Sequence, residues 1–123
     1  MIDIKALSKA WCMETAAAQT VKWEAAPTVV GQCAVTALLV QDECGGEILR
    51  ADVLGHGHYW NLIPAVGEID LTREQFGAAV DIPRGVIVPR SRLLEGERAI
   101  AACTSQRYML LKQRYESCRA HIA

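Results

Sequence analysis

The chain has 123 residues, of which 51% are hydrophobic and 22% charged, and its formal net charge is -1. That length and apolar content suffice for one domain with a buried core, spanning residues 1–123. The balanced charge offers no basic surplus to nucleic acid or to an anionic membrane surface, so neither is expected as a partner.

The opening stretch, MIDIKALSKAW, carries Asp3 and no apolar core of the signal-peptide kind. A first helix is expected from about Ile4 to Ala18. Residues 19–31 hold Pro27 and Gly31 and read as a connecting loop. A second helix is expected from Gln32 to Glu43, stopped by Gly45 and Gly46. The longest strongly apolar run, Ala34 to Val40, is too short to span a bilayer, and the expected location is the cytoplasm. Three strand-like runs follow, at 46–54, 58–63 and 67–72, with Thr72 placed to cap the turn REQF. The segment PRGVIVPR has proline at both ends and suits an edge strand or an extended loop.

A long last helix is expected from Leu93 or Glu97 to Ile122. Its stripe of Ala101, Thr104, Tyr108, Leu111, Tyr115, Cys118 and Ile122 alternates three- and four-residue steps. Packing on its own domain is the first reading of that seam, and a homodimer contact the second. The arginines of this segment (Arg98, Arg107, Arg114, Arg119) are read as its solvated face. The fold class is therefore α+β: a small antiparallel sheet of three or four strands packed against helices.

There are five cysteines, an odd number, with no CxxC pair, which argues against a disulfide framework and a structural zinc site. Most are expected to act as small buried hydrophobes. Cys33 differs, because it falls in the first turn of the second helix. Unpaired backbone N–H groups and the helix dipole there favour a thiolate, and Cys33's own amide can serve an oxyanion.

The hairpin HYWNLIPAVGEIDLT supplies candidate partners. A turn centred on Pro64 would set Asn61 opposite Gly67, Trp60 opposite Glu68 and His58 opposite Asp70. Directly opposed side chains on one face have Cβ atoms about 5 Å apart. At that distance the Asp70 carboxylate can fix the tautomer of His58 and stabilise its imidazolium. Cys33 then attacks a carbonyl, His58 carries the proton and Asp70 orients His58. Gln32, Gln41, Trp23 and Trp60 are candidates for substrate positioning or for a second oxyanion donor.

Each residue also has an ordinary reading. Cys33 can be a packed helix cysteine, His58 a strand histidine bonded to a backbone carbonyl, and Asp70 a turn cap. Trp11, Trp23 and Trp60 are most simply core or rim aromatics, and Glu68 a solvated partner for a base. His56 and His58 on one strand face, with Cys44 or Asp52, offer a metal-site alternative.

The blocks GQCAVTALLVQDECGGEILRADV, HYWNLIP and GEIDLTREQF, with the late RYMLLKQR, together resemble the bacterial YunG-like family across roughly residues 11–115. The resemblance implies a shared fold and sets Cys33, His58 and Asp70 within the shared blocks. It implies no substrate. A wider likeness is to the papain/transglutaminase fold, in which a helix-start cysteine and a strand hairpin carry the triad. The chain is much shorter than papain and lacks its longer signature around the cysteine, so the likeness implies thiol chemistry more than peptide proteolysis.

The expected function is a cysteine-dependent hydrolase or acyl transferase. It would act without a cofactor on a peptide or small-molecule amide or ester, through a thioester at Cys33. The alternatives are a non-catalytic binding module of the same fold, partnering through the last helix, or the metal site at His56 and His58.

Overall fold

A computed structural model describes residues 2–17 and 31–122. The first helix, α1 (Ile4–Ala10), starts where the Asp3 carboxylate accepts the Ala6 N–H at 3.1 Å. It buries Ala6, Leu7 and Ala10 on one stripe. It is shorter than the expected helix because Cys12 is extended, and the Thr15 hydroxyl accepts the Cys12 N–H at 3.0 Å. That side-chain bond replaces helix continuation with a single 3-10 turn, Met13–Thr15. Ala17 N–H donates to Gly31 O at 3.0 Å, so the two ends of the intervening stretch meet.

The second helix, α2 (Cys33–Cys44), is buried along Val35–Val40 and stops at Gly45, whose φ is 75°. Four antiparallel strands follow: β1 (Glu47–Val53), β2 (His56–Ile63), β3 (Gly67–Ile69) and β4 (Val86–Val88). Their spatial order is β3-β2-β1-β4. The short β4, flanked by Pro83 and Pro89, lies at an edge, where a missing ladder donor costs least. Between β3 and β4 the residues Arg73–Phe76 form a 3-10 turn.

The β2–β3 register differs from the expectation. Asn61 pairs with Ile69, Leu62 with Glu68 and Ile63 with Gly67. The turn is centred on Ala65 and not on Pro64. Ala65 takes the left-handed conformation (φ 63°), and Val66 N–H closes on Ile63 O at 3.1 Å. Proline suits the first central position of such a turn and cannot take the second, because its φ is locked near -65°. One step in the turn centre displaces the ladder by two residues, which leaves every side chain on its expected face.

The expected single last helix is three helices: α3 (Arg90–Glu95), α4 (Glu97–Ala101) and α5 (Thr104–Ile122). Gly96 is extended between the first two, and Cys103 is left-handed (φ 54°) between the others. The seam of α5 packs inside the chain. Tyr108, Leu111 and Tyr115 join Leu7, Leu38 and Leu39 in the main core. Tyr115 Oη also accepts the Asp3 N–H at 2.9 Å. Ala101, in contrast, is exposed.

Two of the four arginines leave the solvated role expected of them. Arg114 Nε donates to Ala10 O at 2.6 Å, satisfying the end of α1. Arg107 donates to Thr15 O and Ala102 O, both at 2.9 Å. The cysteines are also wetter than expected: Cys12, Cys33, Cys44 and Cys118 are half-buried and Cys103 is exposed.

Side chains alternate between the two faces of the sheet. Ile48 and Ile63 join α2 in the main core, and Asn61 Nδ2 donates to Ala37 O at 3.0 Å. The opposite face carries a second cluster, Leu49, Ala51 and Trp60, with Leu62 and Ile82 against it. His58 belongs to that second face.

Candidate functional site

β3 pairs only residues 61–63 of β2, so the first half of β2 runs past its end. There the first turn of α2 meets the strand, and Cys33 Sγ lies 3.9 Å from Gly57 O. Gln32 precedes the helix but does not cap it with its side chain. Cys33 lines a cavity of about 630 Å³ between the start of α2, the β1–β2 hairpin and the α3–α5 segment.

His58 is wholly buried, which is rare for a titratable group and demands partners. Its Nε2 lies 2.6 Å from Asp70 Oδ2. Trp60 stacks on the ring at 5.3 Å between centroids, and Phe76 meets it edge-on at 4.8 Å. Gln75 Nε2 stands 3.5 Å from Nδ1. Burial, the strongest single influence on the ring, disfavours its charged form. The Asp70 hydrogen bond and the adjacent Cys33 side chain, through hydrogen bonding and charge, outweigh burial and raise His58 from 6.5 to about 9. The ring is thus bonded to the Asp70 carboxylate and shifted toward its protonated form.

Asp70 satisfies its ordinary reading as well. While Oδ2 holds His58, Oδ1 accepts the Thr72 N–H at 3.2 Å and caps the turn that leads to Gln75 and Phe76. One carboxylate therefore organises both the histidine and the segment that covers it.

The other candidates separate. Gln32 is fully buried; its Oε1 accepts from Thr15 Oγ1 (2.8 Å) and its Nε2 donates to Cys12 O (3.0 Å). Those bonds tie the 3-10 turn to the start of α2. Gln41 lies two turns along α2, about 12 Å from Cys33 along the axis. It bonds Gly46 O (3.0 Å) and Arg90 (2.9 Å). Trp60 is buried against His58, and its Nε1 donates to Glu68 Oε1 at 2.8 Å. Trp23 lies outside the described residues. His56 is exposed, and no group of three or more metal-ligating side chains occurs among the described residues. No helix among them is long and apolar enough to cross a membrane.

Sequence reasoning missed Gln75, Phe76, Arg50 and Arg107. The first two were within reach, since REQF directly follows the strand that delivers Asp70. Nothing local marks Arg50 or Arg107, which enter the cavity only through tertiary packing.

The family described as "YunG protein" matches residues 3–120. A curated relative, "Uncharacterized protein YunG" of Bacillus subtilis (strain 168), is 34% identical over 94 residues, which cover 76% of this chain and 75% of the relative. No solved structure matches. The matched span runs from α1 to all but the last two residues of α5 and includes Cys33, His58 and Asp70, and the chain belongs to the YunG family.

Proposed function

We propose that the protein is a cytoplasmic thiol enzyme that transfers an acyl group from an amide or ester to water or to an amine. The arrangement is of the papain/transglutaminase type. The observation that carries it is the buried His58 ring, bonded to Asp70 at 2.6 Å and raised toward its protonated form, near a Cys33 side chain that lines a cavity. A raised histidine beside a cysteine favours the thiolate–imidazolium pair, the nucleophilic form of the site.

The Cys33 thiolate attacks the carbonyl carbon, forming an S–C bond and a tetrahedral oxyanion. First-turn N–H groups of α2 donate to that oxyanion. His58 gives its proton to the leaving nitrogen or oxygen as the C–N or C–O bond breaks, leaving a thioester. Water or an amine then attacks the thioester, its proton passes to His58, and the S–C bond breaks to restore the thiolate. Asp70 holds the ring throughout.

Iodoacetamide alkylation at pH 7, followed by peptide mapping, tests the reading. Cys33 should react at least tenfold faster than a free cysteine peptide. The fast phase should vanish in Cys33→Ala and persist in Cys118→Ala. A Cys33 no faster than the free peptide would turn the assignment to a binding module.

A further inference from the structure

The cavity in front of Cys33 is unevenly charged. Four arginines line it, Arg50, Arg92, Arg98 and Arg107, against one acid, Glu97. Arg107 is anchored by neutral acceptors only: Thr15 O, Ala102 O and, at 3.2 Å, Thr104 Oγ1. Burial lowers its pKa, and its guanidinium lines the same cavity as Cys33. Arg50 packs against Gly57, where an added Cβ would lie 2.9 Å from Nη2, and the Gly57 carbonyl is the one beside Cys33 Sγ. Its partner Asp52 takes only Nη2, and Arg50 Nε is buried with no hydrogen-bond partner. Arg92 and Arg98 are exposed at the rim and form no ion pair among the described residues. An unpaired guanidinium in a partly enclosed, low-dielectric pocket is costly alone and binds a carboxylate strongly.

Resting on the thiol reading above, we infer that the substrate is a carboxylate-bearing acyl compound, its carboxylate held by Arg107 and Arg50 while its carbonyl faces Cys33. The apolar part of the lining, including Tyr59, Phe76 and Leu93, receives the chain between the two groups.

Two alkylating probes of nearly equal size test this. Iodoacetate carries the carboxylate and iodoacetamide does not; in both, the Cys33 sulfur displaces iodide. The iodoacetate-to-iodoacetamide rate ratio at Cys33 should exceed that of a free cysteine peptide by about tenfold, the scale of focusing by a charged cleft. The excess should shrink in 0.5 M salt, where screening is strong. It should also fall in Arg50→Gln and Arg107→Gln. Arg107 has structural bonds, so the Arg92→Gln/Arg98→Gln double variant, which removes only exposed rim charge, gives a second measure and should lower the ratio about two- to threefold. Fast iodoacetamide labelling with the ratio of the free peptide overturns the carboxylate inference and leaves the thiol enzyme standing. Slow labelling by both probes overturns the two together.

Discussion

His58 and Asp70 meet across a diagonal of the β2–β3 hairpin and not straight across it. Extending the observed pairing sets Asp70 opposite Trp60, one diagonal step from His58. The bond still closes at 2.6 Å, because both side chains stay on one face and a diagonal neighbour is within reach of an imidazole. Trp60 and Glu68, expected face to face, are joined by the parallel diagonal at 2.8 Å. A displacement of one residue would have sent all four to opposite faces.

Asp70→Asn tests what that diagonal does. Asparagine keeps an oxygen for Thr72 and so preserves the turn, but it removes the charge facing His58. The His58 titration midpoint, followed by NMR of the ring protons, should fall from about 9 by a unit or more. Alkylation of Cys33 should change little at pH 7, where a ring titrating at about 8 is still mostly protonated, and should slow by about twofold at pH 8 as the imidazolium population drops. A midpoint and a pH 8 rate both unchanged would show that the carboxylate serves the turn alone.

The sign of the pH dependence follows from the same ring. His58 is raised above its unfolded value of 6.5, so the folded state binds the proton more tightly than the unfolded state. Its contribution to stability is fully present below about pH 6.5 and is lost as pH rises through about 9. The difference corresponds to at most about 3 kcal/mol. Urea unfolding at pH 6, 8 and 10 should show stability declining across that window, and His58→Gln should flatten the decline. A wild-type curve already flat from pH 6 to 10 would contradict the assignment.

The legible part of this protein was local. Apolar spacing and glycine stops gave α2 within one residue at each end; alternation gave β1, aromatic and branched residues gave β2, and β3 proved three residues shorter than its expected run. The thiol, histidine and carboxylate candidates came from the same local signals. What failed depended on contacts distant in sequence. The break after α1 rests on the hydroxyl of Thr15, which Gln32 holds from across the chain. The break before α5 accompanies Arg107, which reaches back to Ala102 and out to Thr15. The β2–β3 register failed for a smaller reason: the left-handed residue of the turn is an alanine, which carries no signal of its own.

Gln32→Ala should be a stability variant. It deletes a fully buried amide that accepts from the buried Thr15 hydroxyl and donates to Cys12 O, leaving both with one partner fewer. Losses of this kind cost about 1–3 kcal/mol. Thermal or denaturant unfolding should register that loss. If Gln32 also served an oxyanion, turnover would drop well beyond what the unfolded fraction explains, so activity measured far below the melting midpoint separates the two roles.

Gly85→Ala probes the wall behind the imidazole. A Cβ at Gly85 would lie 2.5 Å from Trp60 Cζ2, 2.8 Å from Cη2 and 3.0 Å from Leu49 Cβ. The indole is buried, fixed at Nε1 by Glu68 and stacked on His58, so it has little room to retreat. Overpacking a filled cluster costs about 1–3 kcal/mol, and here the strain is relieved by tilting Trp60 against His58. The variant should therefore lose stability and also shift the His58 ring resonances and the Cys33 alkylation rate, although residue 85 touches neither side chain. Trp60→Phe, which releases the crowding and keeps a stacking ring, should restore most of the stability in the double variant. If Gly85→Ala proves as stable as the parent, with the His58 signals unmoved, the wall yields without transmitting anything to the ring.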